Sequence, residues 1–184
     1  MKKYGIIYID PPWEYKKSRA ILDTRKKYKG SSKADDHYPT MSLTELKKLL
    51  INEMLEDNAL VFMWTTGPLL KRSIRLGTTW GLQYATIGFV WDKQQVNPGN
   101  YTMSQIELCL IFKKGAIPTP RGARNVKQFI SQERREHSRK PDEVRRRIDE
   151  MFPDLKKLEM FARSMPDNDW DAYGNEVNRF RELF

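Results

Sequence analysis

Cysteine, histidine and long apolar runs are scarce in this chain, and each scarcity removes a class of function. Among 184 residues there is one cysteine and there are two histidines. A single thiol cannot close an internal disulfide, so a reducing cytoplasm is the simple expectation. Cys109 lies within Leu108-Cys109-Leu110-Ile111-Phe112. In such an apolar strand a buried structural thiol is expected, which disfavours chemistry through a cysteine adduct. His37, His137 and Cys109 are too scattered for metal-ligand spacing, and no metal is expected. No stretch reaches membrane-spanning length. Lys2 and Lys3 precede an apolar run that Asp10, Pro11 and Pro12 interrupt, so that run is not a signal peptide. Acidic residues are also short, 24 against 33 Lys and Arg. That excess of positive charge fits a polyanionic partner such as nucleic acid.

What is present is organised around Tyr4-Gly5-Ile6-Ile7-Tyr8-Ile9-Asp10-Pro11-Pro12-Trp13. The β-branched and aromatic run through Ile9 has the character of a buried strand. Pro11 lacks an N–H and Pro12 restricts its predecessor, so the strand stops and Asp10 is delivered at its carboxyl end. In an open α/β sheet, ligands bind at that edge. Asp10 and the Pro11 carbonyl offer acceptors, and Trp13 offers a flat apolar face. The set suits a planar ring bearing an NH2 group, held by two acceptors and stacked on the indole. A site of this kind acts through orientation and charge stabilisation rather than through a strong base.

The next segment, about 16–37, has no hydrophobic period and carries Lys16, Lys17, Arg25, Lys26 and Lys27 among its basic residues. It reads as a binding loop able to neutralise phosphates, or as a solvated basic loop. Ser42 and Glu45 form a capping-box pattern before Leu43, Leu46, Leu49 and Leu50, predicting a helix over about 43–55. Strands are expected at 59–65, 84–91 and 108–112, with a helix from Gly67-Pro68 to Trp80 ended by Gly81. Strand alternating with helix is the pattern of a parallel sheet with crossovers. Trp64 is expected in the core, while Trp91 is either core or a stacking platform. Glu107 orients a loop or is an ordinary strand-edge charge. A second basic loop, about 113–125, contains Arg121 and Arg124 as phosphate-contacting candidates, and a short strand follows at 126–130. Pro141-Asp142-Glu143 opens a helix with the apolar stripe Val144, Ile148, Met151 and Phe152. A strand signal from Lys157 to Arg163 and a polar loop follow it.

Asp10-Pro11-Pro12-Trp13 resembles the D-P-P-W motif of the amino-methyltransferases. The similarity is narrower to the family of the catalytic subunit of the eukaryotic messenger-RNA N6-adenosine methyltransferase and its bacterial and phage relatives. Arg139-Lys140-Pro141-Asp142-Glu143 is similar to that family's H-K-P-D-E segment, with arginine where the histidine sits, and Glu159-x-Phe161-x-Arg163 with Trp170-x-x-x-Gly174-Asn175 is similar to its cofactor half. The resemblance runs from Tyr8 to Glu176 and implies one Rossmann-like α/β domain over 1–184. It also implies a circularly permuted order, with the catalytic motif first and the cofactor motif last.

By the same resemblance, S-adenosylmethionine is the cofactor and the N6 amine of adenine the target. Asp10, Pro11, Pro12 and Trp13 are the catalytic set, and Tyr38 flanks the base. Asp10, Lys140, Glu159, Arg163, Asn175 and Glu176 are the cofactor candidates, with Lys140 meeting the cofactor's carboxylate. The compact type implies DNA in a bacterial or phage-infected cytoplasm. RNA adenine methylation, N4-cytosine methylation and a non-catalytic nucleic-acid-binding partner are the alternatives. With no room for a separate recognition domain, target choice falls to the basic loops, a homodimer or a partner subunit. Larger relatives carry a loop upstream of the D-P-P-W strand that contacts the cofactor's adenine, whereas nine residues precede Asp10 here, so that contact is expected from elsewhere or missing. Family members also carry a His-Glu pair where this chain has Ile106-Glu107, so a role for that histidine does not transfer.

Overall fold

The computed structural model describes residues 2–14, 40–99, 101–135, 139–162 and 169–174. They form seven strands in one sheet: β1 Tyr4–Ile9, β2 Leu55–Thr65, β3 Gln83–Asn97, β4 Ser104–Lys114, β5 Phe129–Ser131, β6 Lys157–Met160 and β7 Asp171–Tyr173. The helices are α1 Leu43–Lys47, α2 Ile51–Met54, α3 Leu70–Thr79 and α4 Asp142–Met151. Strand order is β5-β3-β4-β2-β1-β6-β7. The α/β expectation holds. The sheet is mixed rather than wholly parallel, because β4 runs antiparallel to both β2 and β3. The physical reason is the short connection between β3 and β4, too short for a crossover helix, which joins them as a hairpin.

Every residue of β1 is buried, because the sheet is covered on both faces. Ile7 and Ile9 point into a cluster with Val61, Met63, Leu110 and Phe112 under α1 and α3. Ile6 and Tyr8 point the other way, toward Phe62, Trp64, Trp91 and the α4 residues Val144 and Ile148. Trp64 is therefore core, as expected, and so is Trp91. Cys109 is fully buried in the second cluster, and burial pushes its thiol well above the usual range.

The local signals held where they were self-contained. Glu45 N–H donates to Ser42 Oγ and Ser42 N–H to Glu45 Oε2, completing the capping box of α1. Gly81 has φ +78°, and Gly81 and Leu82 N–H groups donate to Thr78 and Gly77 carbonyls, which closes α3 with a Schellman turn. The expected single helix over 43–55 is broken at 48–50 into α1 and α2, and it ends at Met54 because Leu55 already belongs to β2. The strand expected at 126–130 lies at Phe129–Ser131, and β7 adds a strand at Asp171–Tyr173 that the sequence did not suggest. Among the described residues no helix is long and apolar enough to cross a membrane.

Gly77 lies on the buried side of α3, and a Cβ there would come within 2.2 Å of the Phe112 ring. Alanine normally gains about 1 kcal/mol over glycine in a helix. Gly77→Ala is expected to reverse that sign and lose about 1–3 kcal/mol, because the packed ring must shift. Urea unfolding checks this as a lowered midpoint at unchanged slope.

Candidate active site

β1 pairs in parallel with β2 on one side and β6 on the other, so Asp10 emerges in mid-sheet at the carboxyl edge. The turn after it is pinned. Trp13 N–H donates to the Pro11 carbonyl at 2.9 Å, Met41 N–H to the Pro12 carbonyl at 2.7 Å, and Glu14 N–H to the Met41 carbonyl at 3.0 Å. The Pro11 carbonyl has a second lone pair and keeps acceptor capacity. Trp13 is only 7% exposed, packed in the α1/α3 cluster, and its indole N–H has no partner among the described residues. It forms a wall of the corner here rather than an open platform. Because β4 runs antiparallel, its amino-terminal end brings Glu107 to the same edge.

Lys140, just ahead of α4, closes the corner. Its ammonium lies 3.1 Å from Asp10 Oδ2 and 2.8 Å from Glu107 Oε2, and 5.5 Å from the centre of the Trp64 ring. Lys93 Nζ lies 3.4 Å from Glu107 Oε1. The four side chains alternate in sign, and Lys93 and Glu107 are 6% and 8% exposed. Burial pulls the Lys140 ammonium down, but Asp10 and Glu107 outweigh it and hold the group well above its ordinary range. Burial likewise pushes the Glu107 carboxyl up, and Lys140 with Lys93 outweighs it, so the carboxyl ends below its ordinary 4.5.

A second ionic group flanks the first. Arg145 donates to Glu159 Oε2 at 2.7 Å and also pairs with Asp142, which receives Arg135 and Arg139 as well. Burial raises the Glu159 carboxyl, and Arg145 offsets this only in part. Gly174 follows β7, and a Cβ on it would meet the Ala162 carbonyl oxygen at 2.2 Å. Ala162 N–H donates to the Tyr173 carbonyl. The chain segments leaving β6 and β7 are thus pressed together at the carboxyl edge, which only glycine at 174 permits.

Of the expected site residues, the structure brings Asp10, Pro11, Pro12, Trp13, Lys140 and Glu159 to this edge. Arg121 and Arg124 lie elsewhere: Gly122 and Ala123 N–H groups donate to Met151 and Glu150 carbonyls at the far end of α4. Ten residues of helix, about 15 Å, separate that end from Lys140. Arg121 sits over the Phe152 ring at 5.7 Å. Lys16, Lys17, Arg25, Lys26, Lys27, Tyr38, Arg163, Asn175 and Glu176 lie outside the described residues. Sequence reasoning left Glu107 undecided and missed Lys93, which lies beyond the strand expected at 84–91. Two charges flanking the carboxyl and amino ends of adjacent strands were the available signal.

A carboxylate on a rigid turn, steadied by a buried cation, can hold and polarise an amine, and the lone thiol takes no part. That is the equipment of an amino-methyltransferase on an α/β sheet. The chain belongs to the MT-A70 family, whose model matches residues 4–176. A type II methyltransferase, M.MunI, from Mycoplasma sp is 47% identical over 184 residues, covering 96% of this chain and 78% of that protein. An N(6)-adenosine-methyltransferase MT-A70-like protein of Arabidopsis thaliana is 28% identical over 97% of this chain. The N(6)-adenosine-methyltransferase catalytic subunit METTL3 of Homo sapiens is 25% identical over 96% of it. This chain spans only 24% and 28% of those two proteins.

The Glu107 pairing carries a pH signature. Its folded carboxyl titrates below 4.5, so between the folded value and 4.5 the unfolded chain binds more protons and stability rises with pH. The contribution is present above 4.5 and is lost as pH falls through the folded value. Glu107→Gln is expected to destabilise the fold at neutral pH, since it breaks a buried pair, and to do so less as the pH falls. Denaturant unfolding from pH 7 to pH 3 checks it, with the difference between wild type and variant shrinking toward the acid end.

Proposed function

We propose that this methyltransferase transfers a methyl group from S-adenosylmethionine to the N6 amine of adenine in nucleic acid, with DNA the favoured substrate. The observation that carries the reading is Asp10, held at the carboxyl edge by the proline turn and by Lys140 at 3.1 Å. DNA is favoured because a type II methyltransferase is the relative at 47% identity, against 25–28% for the N6-adenosine enzymes.

The donor set fits the cofactor. An ammonium has three N–H groups, and Asp10 and Glu107 occupy two of those of Lys140, which leaves one for the cofactor's carboxylate. Asn175 and Glu176 accept from ribose hydroxyls, with Arg163 and Glu159 as the further cofactor contacts. When bound, S-adenosylmethionine supplies an electrophilic methyl on a sulfonium. Asp10 and the Pro11 carbonyl accept from the target amine, which turns its lone pair out of the ring plane. Trp13 and Tyr38 bound the base, and the surplus proton leaves through Asp10 or water. Lys16, Lys17, Arg25, Lys26 and Lys27 contact phosphates, with Arg121 and Arg124 as outlying contacts. A target in a duplex is flipped out to reach the corner. In this reading the sheet is a permuted Rossmann-like one in a bacterial or phage-infected cytoplasm, and a second copy or a partner subunit adds sequence selection.

Asp10→Ala is expected to lower methyl transfer by at least about 10³-fold, the scale of losing an oriented charge at the reacting group. S-adenosylmethionine binding by calorimetry should stay within about threefold, since Lys140 remains charged. Unchanged turnover would remove Asp10 from the mechanism. Lys140→Ala is expected to weaken cofactor binding about tenfold or more, as the loss of a charge-assisted hydrogen bond requires. A wild-type dissociation constant would sink that assignment.

A further inference from the structure

Glu107 and Lys93 have no part in the roles assigned above, yet they are the least exposed charges at the site edge. They come from neighbouring strands, β4 and β3, and Glu107 reaches Lys140 across 33 residues of sequence. An incidental ion pair would sit in water, where it contributes little. We propose that Glu107, fixed by Lys93, is a positioning residue that holds the Lys140 ammonium midway, so that Asp10 stays charged and oriented yet keeps acceptor capacity for the target amine. The inference rests on methyl transfer at the Asp10 corner.

The geometry gives each member a separate duty. Glu107 uses one oxygen for Lys140 and the other for Lys93, so Lys93 sets the rotation of the carboxylate. Without Glu107, Asp10 is the remaining carboxylate paired with Lys140 among the described residues, and the ammonium moves fully onto it. A carboxylate has about four lone-pair sites, and an ammonium drawn onto them competes with the amine that Asp10 must hold. Catalysis then suffers more than cofactor binding, because Lys140 keeps its charge. Without Lys93, Glu107 turns its undivided charge on Lys140 and draws it away from Asp10.

The test uses Glu107→Gln, Glu107→Asp, Lys93→Met, Lys93→Arg and the Gln/Met double variant of the full chain. Glu107→Gln is expected to lower kcat by about 10²-fold, the scale of a misplaced reacting group. S-adenosylmethionine affinity by calorimetry should change less than about threefold, and Glu107→Asp should recover part of kcat. Lys93→Met should lower kcat about tenfold alone and not at all in the Glu107→Gln background, because it acts only through Glu107. Lys93→Arg should restore it. Equal loss of kcat and affinity, or additive effects in the double variant, overturns the proposal. If Glu107→Gln does not fold, the Lys93 pair carries the test.

The side-chain ammonium nitrogen signal of Lys140, followed by NMR in the free protein, separates this idea from the reading beneath it. It should shift or broaden in Glu107→Gln and Lys93→Met whether or not a methyl is transferred. An unmoved signal overturns the positioning role. An inactive wild type with the expected NMR changes overturns the assigned reaction alone.

Discussion

The ammonium of Lys140, buried between two carboxylates, is the interaction on which the arrangement of the carboxyl edge depends. Taking an isolated charge out of water costs several kcal/mol, and the cost is offset only when geometry and partners are good. Here the partners are Asp10 after β1 and Glu107 on β4, with the Trp64 ring of β2 beside them and Lys93 of β3 behind Glu107. Four strands and the segment leading into α4 therefore meet at one point. Asp10 is held from two directions, by the proline turn along the chain and by the cation across it.

The sheet makes that meeting possible. Because both faces are covered, β1 is apolar throughout and its first polar residue is Asp10 at the exit. Had β4 been parallel, its carboxyl end would face this edge and Glu107 would sit elsewhere. The antiparallel hairpin carries Glu107 back to the edge where β1, β2 and β6 end. A topological detail thus supplies the second carboxylate. The polar end of β3, beyond Trp91, is tied to its neighbours by Asp92, which accepts from Gln105 and Ser131 side chains.

What was legible in the sequence was what local chemistry determines. The proline stop after Ile9, the Ser42–Glu45 box, Gly81 at the end of α3 and the burial of Cys109 and Trp64 all follow from residues within a turn or strand of each other. Asp10 and Lys140 were legible as candidates through the resemblance of their motifs, but their contact was not, since it joins residues 130 positions apart in sequence. Lys93 was missed because Asp92-Lys93-Gln94-Gln95 is polar and lies beyond the apolar strand signal at 84–91, while β3 runs on to Asn97. The orientation of β4 was misjudged because alternating strands and helices favour a parallel sheet, and the missing helix between β3 and β4 was given no weight. Arg121 and Arg124 were legible as basic residues, but not their distance from the corner. Their backbone neighbours place them at the other end of α4, a separation that composition cannot express.

The family and the corner converge on one chemical claim: the methyl goes to the exocyclic nitrogen of adenine. The most direct measurement supplies the purified chain with S-adenosylmethionine labelled in its methyl group and with DNA and RNA in competition, then digests both polymers for nucleoside mass spectrometry. The account predicts label in N6-methyldeoxyadenosine from DNA. Label in N4-methyldeoxycytidine, or no label in any nucleoside while the cofactor binds, would contradict it.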